Sequence, residues 1–230
     1  MPVLEIGLDN GSGLLERMGS DVPNDQYIRE LQKNAEEAGA TRIDWDLDWA
    51  HYHLEGVKKL MVVDNGVGMS GNELVRRINN LASTSHEQSL TGNFGVGAKL
   101  ATFPRNPYGT IYLSRKDGVN YQVHFCQEPA TKKWGLQQIE RADGSFGHYG
   151  IVEDSIMPKL IMESGHGTAV VMLGKNHGDN TLLPPEGVKY GKGNWVTKTL
   201  NSRWHKIPTN IRVRVNQSAF LDEDPGLRHW

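Results

Sequence analysis

Between residues 24 and 38, Ile28, Leu31, Ala35 and Ala38 recur at three- and four-residue intervals, the spacing that lines up one face of an α-helix. Gly39 follows, where a helix end favours a residue tolerant of positive φ. The period then changes to two. Ile43, Trp45, Leu47 and Trp49 alternate with Arg42, Asp44, Asp46 and Asp48, which predicts a strand with Trp45 and Trp49 in the core and the aspartates on a solvated side. A short apolar strand at 59–63 runs directly into Asp64-Asn65-Gly66-Val67-Gly68, and Leu74, Val75, Ile78 and Leu81 predict a second helix over 71–81. Residues 82–98 are small, polar and glycine-rich, the composition of a mobile loop that can cover a ligand. Strands are predicted at 110–114, 119–125, 134–139 and 168–173, the first two joined by Asp117-Gly118, a hairpin-turn dipeptide. The stretch 174–193 holds five glycines and Pro184-Pro185 and reads as a loop. A helix over 195–204 and a strand in which Ile211, Val213 and Val215 alternate with Arg212 and Arg214 complete the pattern. Residues 1–22 carry no periodicity that predicts an element. Helices followed by a run of strands argue for an α+β layered fold with a mainly antiparallel sheet.

Composition removes several classes of function. The 230 residues are 37% hydrophobic and 23% charged with a formal net charge of −2, which excludes a disordered polyelectrolyte and the broad basic field of a dedicated nucleic-acid binder. The Arg76-Arg77 pair and the arginines of 212–214 are clusters no larger than ordinary solvated basic residues form. Cys126 is the only cysteine, so no intrachain disulfide and no cysteine-based zinc site can form, and it reads as a small buried hydrophobe. That usage suits a cytoplasmic protein, or a nuclear one in a eukaryote. No apolar run approaches the roughly 20 residues of a membrane span and no secretion signal opens the chain, so neither a membrane anchor nor secretion is expected. His51 and His53 are two apart in a predicted exposed turn and suggest no metal site on their own. The 26 glycines exceed the usual share of about 7% and are clustered rather than evenly spread; three of the clusters matter here.

Those clusters, with one helix, hold the candidate chemistry. Glu30 and Asn34 are four apart on the first helix and project from one face. They make either a solvated face or a carboxylate able to polarise water beside an amide oxygen able to ligate Mg²⁺. Asp64 to Gly68 form either an acidic turn that caps the next helix or a site where a carboxylate accepts from an exocyclic amine. The run Gly92-Asn93-Phe94-Gly95-Val96-Gly97-Ala98-Lys99 could cradle an anion on backbone N–H groups, with Lys99 adding a positive charge. It fails the P-loop pattern, because Ser or Thr does not follow Lys99, and the dinucleotide pattern, because no strand leads into it. Gly165-His166-Gly167-Thr168 opens an apolar strand and is either a plain turn or a fourth element of a site.

In order and separation these pieces resemble the four motifs of the GHKL superfamily, the ATP-binding domains of gyrase B, Hsp90, MutL, the MORC ATPases and the histidine kinases. Residues 30–38 are similar to its N-box, 64–69 to its adenine-reading motif, 92–99 to its glycine lid motif and 165–168 to its last motif. The resemblance covers about residues 24–175 and implies a Bergerat fold: a two-layer sandwich whose mixed, mostly antiparallel sheet is covered on one face by helices, with a mobile ATP lid over 70–97. It implies Glu30 as the general base and Asn34 as the Mg²⁺ ligand. Asp64 would accept from the adenine amino group, Gly66, Gly68 and Met69 would line the adenine pocket, and Thr168 would support the base through a bound water. Gly92 and the N–H groups of Phe94, Gly95, Val96 and Gly97, with the Lys99 ammonium, would hold the phosphates.

Histidine kinases usually carry Asn where this chain has Glu30, so the resemblance favours hydrolysis over transfer to a protein. Leu81 to Ser85 resemble the lids of MutL and MORC proteins, and Gly97-Ala98-Lys99 is most similar to MORC and Hsp90-like members. Residues 1–206 would form the ATP-binding domain, and 207–230 the exit strand towards a transducer domain, as in a fragment of a longer protein. Hydrolytic relatives take a second phosphate-contacting lysine from that domain, and no residue here matches it. The resemblance implies an Mg²⁺-dependent ATPase, weak in this chain alone for want of that lysine, that dimerises on binding ATP, and it leaves a DNA or protein client open. The alternative is a nucleotide-gated scaffold with little turnover of its own.

Overall fold

The computed structural model describes residues 3–5, 11–79, 96–140, 144–188, 194–203 and 207–220. Its strands are β1 (Val3–Glu5), β2 (Arg42–Leu47), β3 (Leu60–Asp64), β4 (Gly109–Lys116), β5 (Val119–Gln127), β6 (Trp134–Gln137), β7 (Ile139–Glu140), β8 (Phe146–Gly147), β9 (Gly150–Ile151), β10 (Gly167–Gly174) and β11 (Arg212–Val215). The α-helices are α1 (Gly11–Ser20), α2 (Gln26–Glu37), α3 (Trp49–Glu55), α4 (Gly71–Asn79), α5 (Val96–Thr102), α6 (Lys159–Ser164) and α7 (Trp195–Arg203). The main sheet runs β1-β6-β5-β4-β10-β3-β2-β11, and β9 also pairs with β5. Every pairing in it is antiparallel except β11 on β2. This is the expected α+β layered architecture.

The sequence pattern explains the larger of two cores. Ile28, Leu31 and Ala35 from α2 pack with Ile43, Trp45 and Leu47 from β2, with Leu74 and Ile78 from α4 and with Trp195, Val196 and Leu200 from α7. Trp45 is wholly buried and donates its Nε1–H to Gln32 Oε1 at 3.2 Å, so an indole that must be desolvated keeps a partner. The hairpin between β4 and β5 turns on Asp117 and Gly118 with φ of 51° and 79°, the doubly positive geometry that an Asp-Gly turn supplies.

The other face of the sheet is not bare. Met61, Val63, Leu113, Ala169, Val171 and Leu173 form a second cluster under Met157, Leu160 and Ile161, so β3 and β10 are buried on both faces. The helix that covers them, α6, is six residues long, too short for its periodicity to register in the sequence.

Several local expectations need correction. The alternating strand ends at Leu47, and Trp49 opens α3 because Asp48 caps it, accepting from the N–H groups of Ala50 and His51. His51 and His53 therefore lie on a helix, and His51 Nδ1 bonds Asp48 Oδ2 at 2.6 Å. Trp49 is only partly buried against the core. Asp48 is itself buried, and Asp46 accepts from Asn216 Nδ2, so these are not plainly solvated side chains. Cys126 is half-buried rather than core. The strand expected from the alternation at 211–215 is present as β11, hydrogen-bonded to β2 over Arg212–Val215 at an edge of the main sheet. Residues 175–188 contain no helix or strand, as expected of the glycine and proline run. No helix among the described residues is long and apolar enough to cross a membrane.

Candidate functional site

Helix α2 presents the first candidates. The Glu30 carboxylate is mostly buried, and its Oε1 accepts from Gln26 Nε2 at 2.7 Å and from Arg29 at 3.3 Å. Its Oε2 faces the first turn of α5: a Cβ added at Gly97 would lie 2.4 Å from that oxygen. A side chain at 97 would have to displace the Glu30 carboxylate from this position. Asn34, one turn along the same face, is half-buried, and its side-chain amide makes no hydrogen bond among the described residues.

The C-terminal end of α2 carries the second group. The Val67 N–H donates to the Ala38 carbonyl at 3.1 Å, and a Cβ at Gly66 would come within 2.8 Å of Ala38. Asn65 ties the same loop to β2: its Oδ1 accepts from the N–H groups of Thr41 and Arg42 at 2.9 and 2.7 Å. Gly68 has φ +66°, and a Cβ there would lie 2.1 Å from the Arg115 carbonyl oxygen. Gly167, at φ +142°, leaves no more room, since its Cβ would lie 2.2 Å from the Asp64 carbonyl oxygen. His166 Nδ1 donates to the Gly66 carbonyl at 2.7 Å and so joins the last motif to the second.

Sheet register then aligns three polar residues. Thr168 on β10 lies directly opposite Asp64 on β3 and opposite Ser114 on β4. Directly paired residues share a face, and the next position in this row is Ile43, a member of the main core under the helices. Asp64 is buried, with Oδ1 accepting from the Gly66 N–H at 2.7 Å. Burial pushes its carboxyl up to about 7, against the opposing effects of the Gly66 and Thr168 N–H groups and of His166. A carboxylate so desolvated and so incompletely compensated suits a ligand that brings a hydrogen-bond donor.

Helix α2 also sets the distance between the two groups. Glu30 and Ala38 are eight residues apart, about 12 Å along a helix axis, with Asn34 halfway. That separation is comparable to the reach of an extended nucleoside triphosphate from base to terminal phosphate.

Lys99 lies elsewhere. Its side chain is buried, and its ammonium donates to the Arg77 carbonyl in the last turn of α4. Burial, aided by the Arg77 charge, lowers its pKa to about 8. Gly92, Phe94 and Gly95 lie outside the described residues, as does 80–95 of the expected lid; Val96 opens α5. Met69 packs against the main core and donates its N–H to Ser114 Oγ at 2.7 Å.

The structure thus brings Glu30 to Gly97, and Asp64, Gly66, Gly68 and Met69 to Thr168. Ser114 lies outside all four motifs and was missed by sequence reasoning, whereas Asn65 and His166 lie inside motifs in which that reasoning assigned them no role. A cavity of about 970 Å³ lies on the opposite face of the sheet and is lined by Trp49, Met61, Val63, Leu113 and Met157. It touches none of the motif residues. Among the described residues no group of three or more His, Cys, Asp or Glu side chains is arranged to hold a metal ion. Mg²⁺ keeps few protein ligands and completes its shell with water and phosphate, which the free Asn34 amide fits.

No curated protein matches the chain. Residues 25–168 match the model of a family described as histidine kinase-, DNA gyrase B- and HSP90-like ATPase. With that match running from the helix of Glu30 and Asn34 to Thr168, over more than half of the 230 residues, the chain belongs to this family of GHKL-type ATPases.

Proposed function

We propose that the chain is an Mg²⁺-dependent ATPase module that binds ATP along α2, with the base at the Asp64 row and the phosphates near Glu30, and hydrolyses it. The observation that carries this reading is the joining of the separate motifs by α2 over a nucleotide's length, with a buried, under-compensated carboxylate at one end and a mostly buried one at the other. Asp64 accepts a hydrogen bond from the exocyclic amine, while Gly66, Gly68 and Met69 shape the base pocket and Thr168 supports the base. Glu30, held through Oε1 by Gln26, keeps Oε2 for the proton of the attacking water. Asn34 supplies its amide oxygen to the cation. Mg²⁺, when bound, neutralises charge on the phosphate oxygens during transfer. The N–H groups of Gly92, Phe94, Gly95, Val96 and Gly97 cradle the phosphates. Lys99 joins them after leaving the Arg77 carbonyl. Closure of 70–97 over the nucleotide and assembly of a homodimer that acts on a DNA or protein client belong to the same proposal, as does a MORC- or Hsp90-like subfamily. So does a boundary near 207 between the ATP-binding domain and an exit segment.

The engagement of Lys99 with Arg77 favours a second reading, a nucleotide-gated scaffold that binds ATP but turns it over slowly alone. Single-turnover assays with γ-labelled ATP separate the two. A stoichiometric burst of phosphate from this chain that Glu30→Gln abolishes supports the ATPase; bound but intact ATP supports the scaffold. Label appearing on a partner protein overturns both in favour of a kinase.

A further inference from the structure

Ser114 belongs to none of the four sequence motifs, yet it is wholly buried at the point where two of them meet. Its hydrogen bonds fix the direction of its only proton. The backbone N–H of Met69 can only donate, and it donates to Ser114 Oγ at 2.7 Å. The Gly167 carbonyl can only accept, and it takes the Ser114 proton at 2.9 Å. Ser114 Oγ also lies 3.2 Å from Thr168 Oγ1. With the serine proton already used, Thr168 must be the donor in that contact, because each hydroxyl carries one proton.

Thr168 therefore has no proton left for a ligand. Its oxygen offers only lone pairs, next to the Asp64 carboxylate directly opposite it in the sheet. Two neighbouring acceptors welcome an edge that carries an amino group and repel one that carries a carbonyl at the same place. We propose that Ser114 is a positioning residue for base selection: by consuming the Thr168 proton it makes the Asp64–Thr168 row accept a 6-amino purine and reject a 6-oxo purine. The proposal rests on the nucleotide-binding reading above and deepens it.

Removal of the Ser114 hydroxyl frees the Thr168 proton to rotate towards the ligand, where it can donate to a 6-oxo group. It also leaves the Met69 N–H and the Gly167 carbonyl without that partner. The first effect changes the choice of base, whereas the second weakens all nucleotides alike.

The experiment compares ADP with IDP, which differ only at the purine 6-position and its neighbouring nitrogen and are not hydrolysed. Binding is measured by calorimetry with Mg²⁺ at a pH above 8, where Asp64 is ionised, for the parent chain, Ser114→Ala, Ser114→Thr, Thr168→Val and the Ser114→Ala/Thr168→Val pair. The expected result is that the parent prefers ADP and that Ser114→Ala lowers the ADP-to-IDP affinity ratio by roughly tenfold, the scale of one buried hydrogen bond. Ser114→Thr, which keeps the hydroxyl, restores the ratio. In the Thr168→Val background Ser114→Ala has no further effect on it. If Ser114→Ala weakens ADP and IDP by the same factor, Ser114 is merely structural and the proposal falls while the nucleotide reading stands. An unchanged ratio in Thr168→Val overturns it as well, even if Ser114→Ala fails to fold. A parent chain that binds neither diphosphate overturns both.

Discussion

Asp64→Asn is expected to stabilise the fold at alkaline pH while it removes nucleotide binding. The folded chain raises the carboxyl from 3.8 to about 7, chiefly by burial. A shift of that size corresponds to roughly 4 kcal/mol at about 1.36 kcal/mol per pH unit, an upper bound for a buried group. The sign follows from which state holds the proton. Between 3.8 and about 7 the unfolded chain has released it while the folded chain still binds it, so stability falls as pH rises through that window and levels off above it. Integrated from about pH 5 to about pH 8, the parent should lose roughly 2–3 kcal/mol relative to the variant. The amide introduced by Asp64→Asn would keep the shape of the carboxyl and still accept from the Gly66 N–H, whose 2.7 Å bond now goes to Oδ1. Denaturant unfolding of both proteins at several pH values measures this directly. A saturating adenine nucleotide should flatten the parent's pH dependence, because a donated amine hydrogen bond favours the ionised form. Stability curves of parent and variant that run parallel from pH 5 to 8 would mean that the Asp64 carboxyl is not raised by burial.

Further outcomes follow from other parts of the site. Gly68→Ala should cost about 2–4 kcal/mol in denaturant unfolding, because its Cβ would meet the Arg115 carbonyl oxygen at 2.1 Å on a backbone already at φ +66°. Glu30→Gln should retain Mg·ATP affinity within about threefold and lose phosphate release, read from calorimetry and single turnover. Lys99→Met should weaken ATP more than adenosine in the same titrations if the ammonium reaches the phosphates; equal losses would mean that its role is structural. Glu73, which caps α4 through Ser70 and pairs with Lys116 at 2.8 Å, has a carboxyl lowered to about 2. Its contribution is present above the unfolded value of 4.5 and lost as pH falls towards 2. Because both partners are partly exposed, Glu73→Gln should cost under about 1 kcal/mol in thermal melts, and less in high salt.

Much of the placement of the candidate residues was legible because its signals are local. The three- and four-residue spacing of Ile28, Leu31 and Ala35 places Glu30 and Asn34 on α2. The alternation of Ile43, Trp45 and Leu47 gives β2, with its buried residues on the helical side. The same alternation misleads at Asp48, where a side-chain cap outweighs the period and starts α3 at Trp49. Ser114 could not be found that way. It sits inside an apolar strand, and its partners Met69 and Thr168 are 45 and 54 residues distant in the chain, so only the sheet register reveals it. The second core cluster is hidden for a similar reason, since six-residue α6 is recognisable only once β3 and β10 lie beneath it. For Lys99 the sequence motif supplies a charge but not its direction, and tertiary packing turns it to Arg77.

Calorimetric titration with a non-hydrolysable ATP analogue, with and without Mg²⁺, shows whether α2 and the Asp64 row form one Mg·ATP site. About one site per chain is expected, tighter with Mg²⁺ than without, and abolished by Asp64→Asn in a variant that remains folded. No binding at millimolar analogue, or binding that Asp64→Asn leaves unchanged, would contradict it.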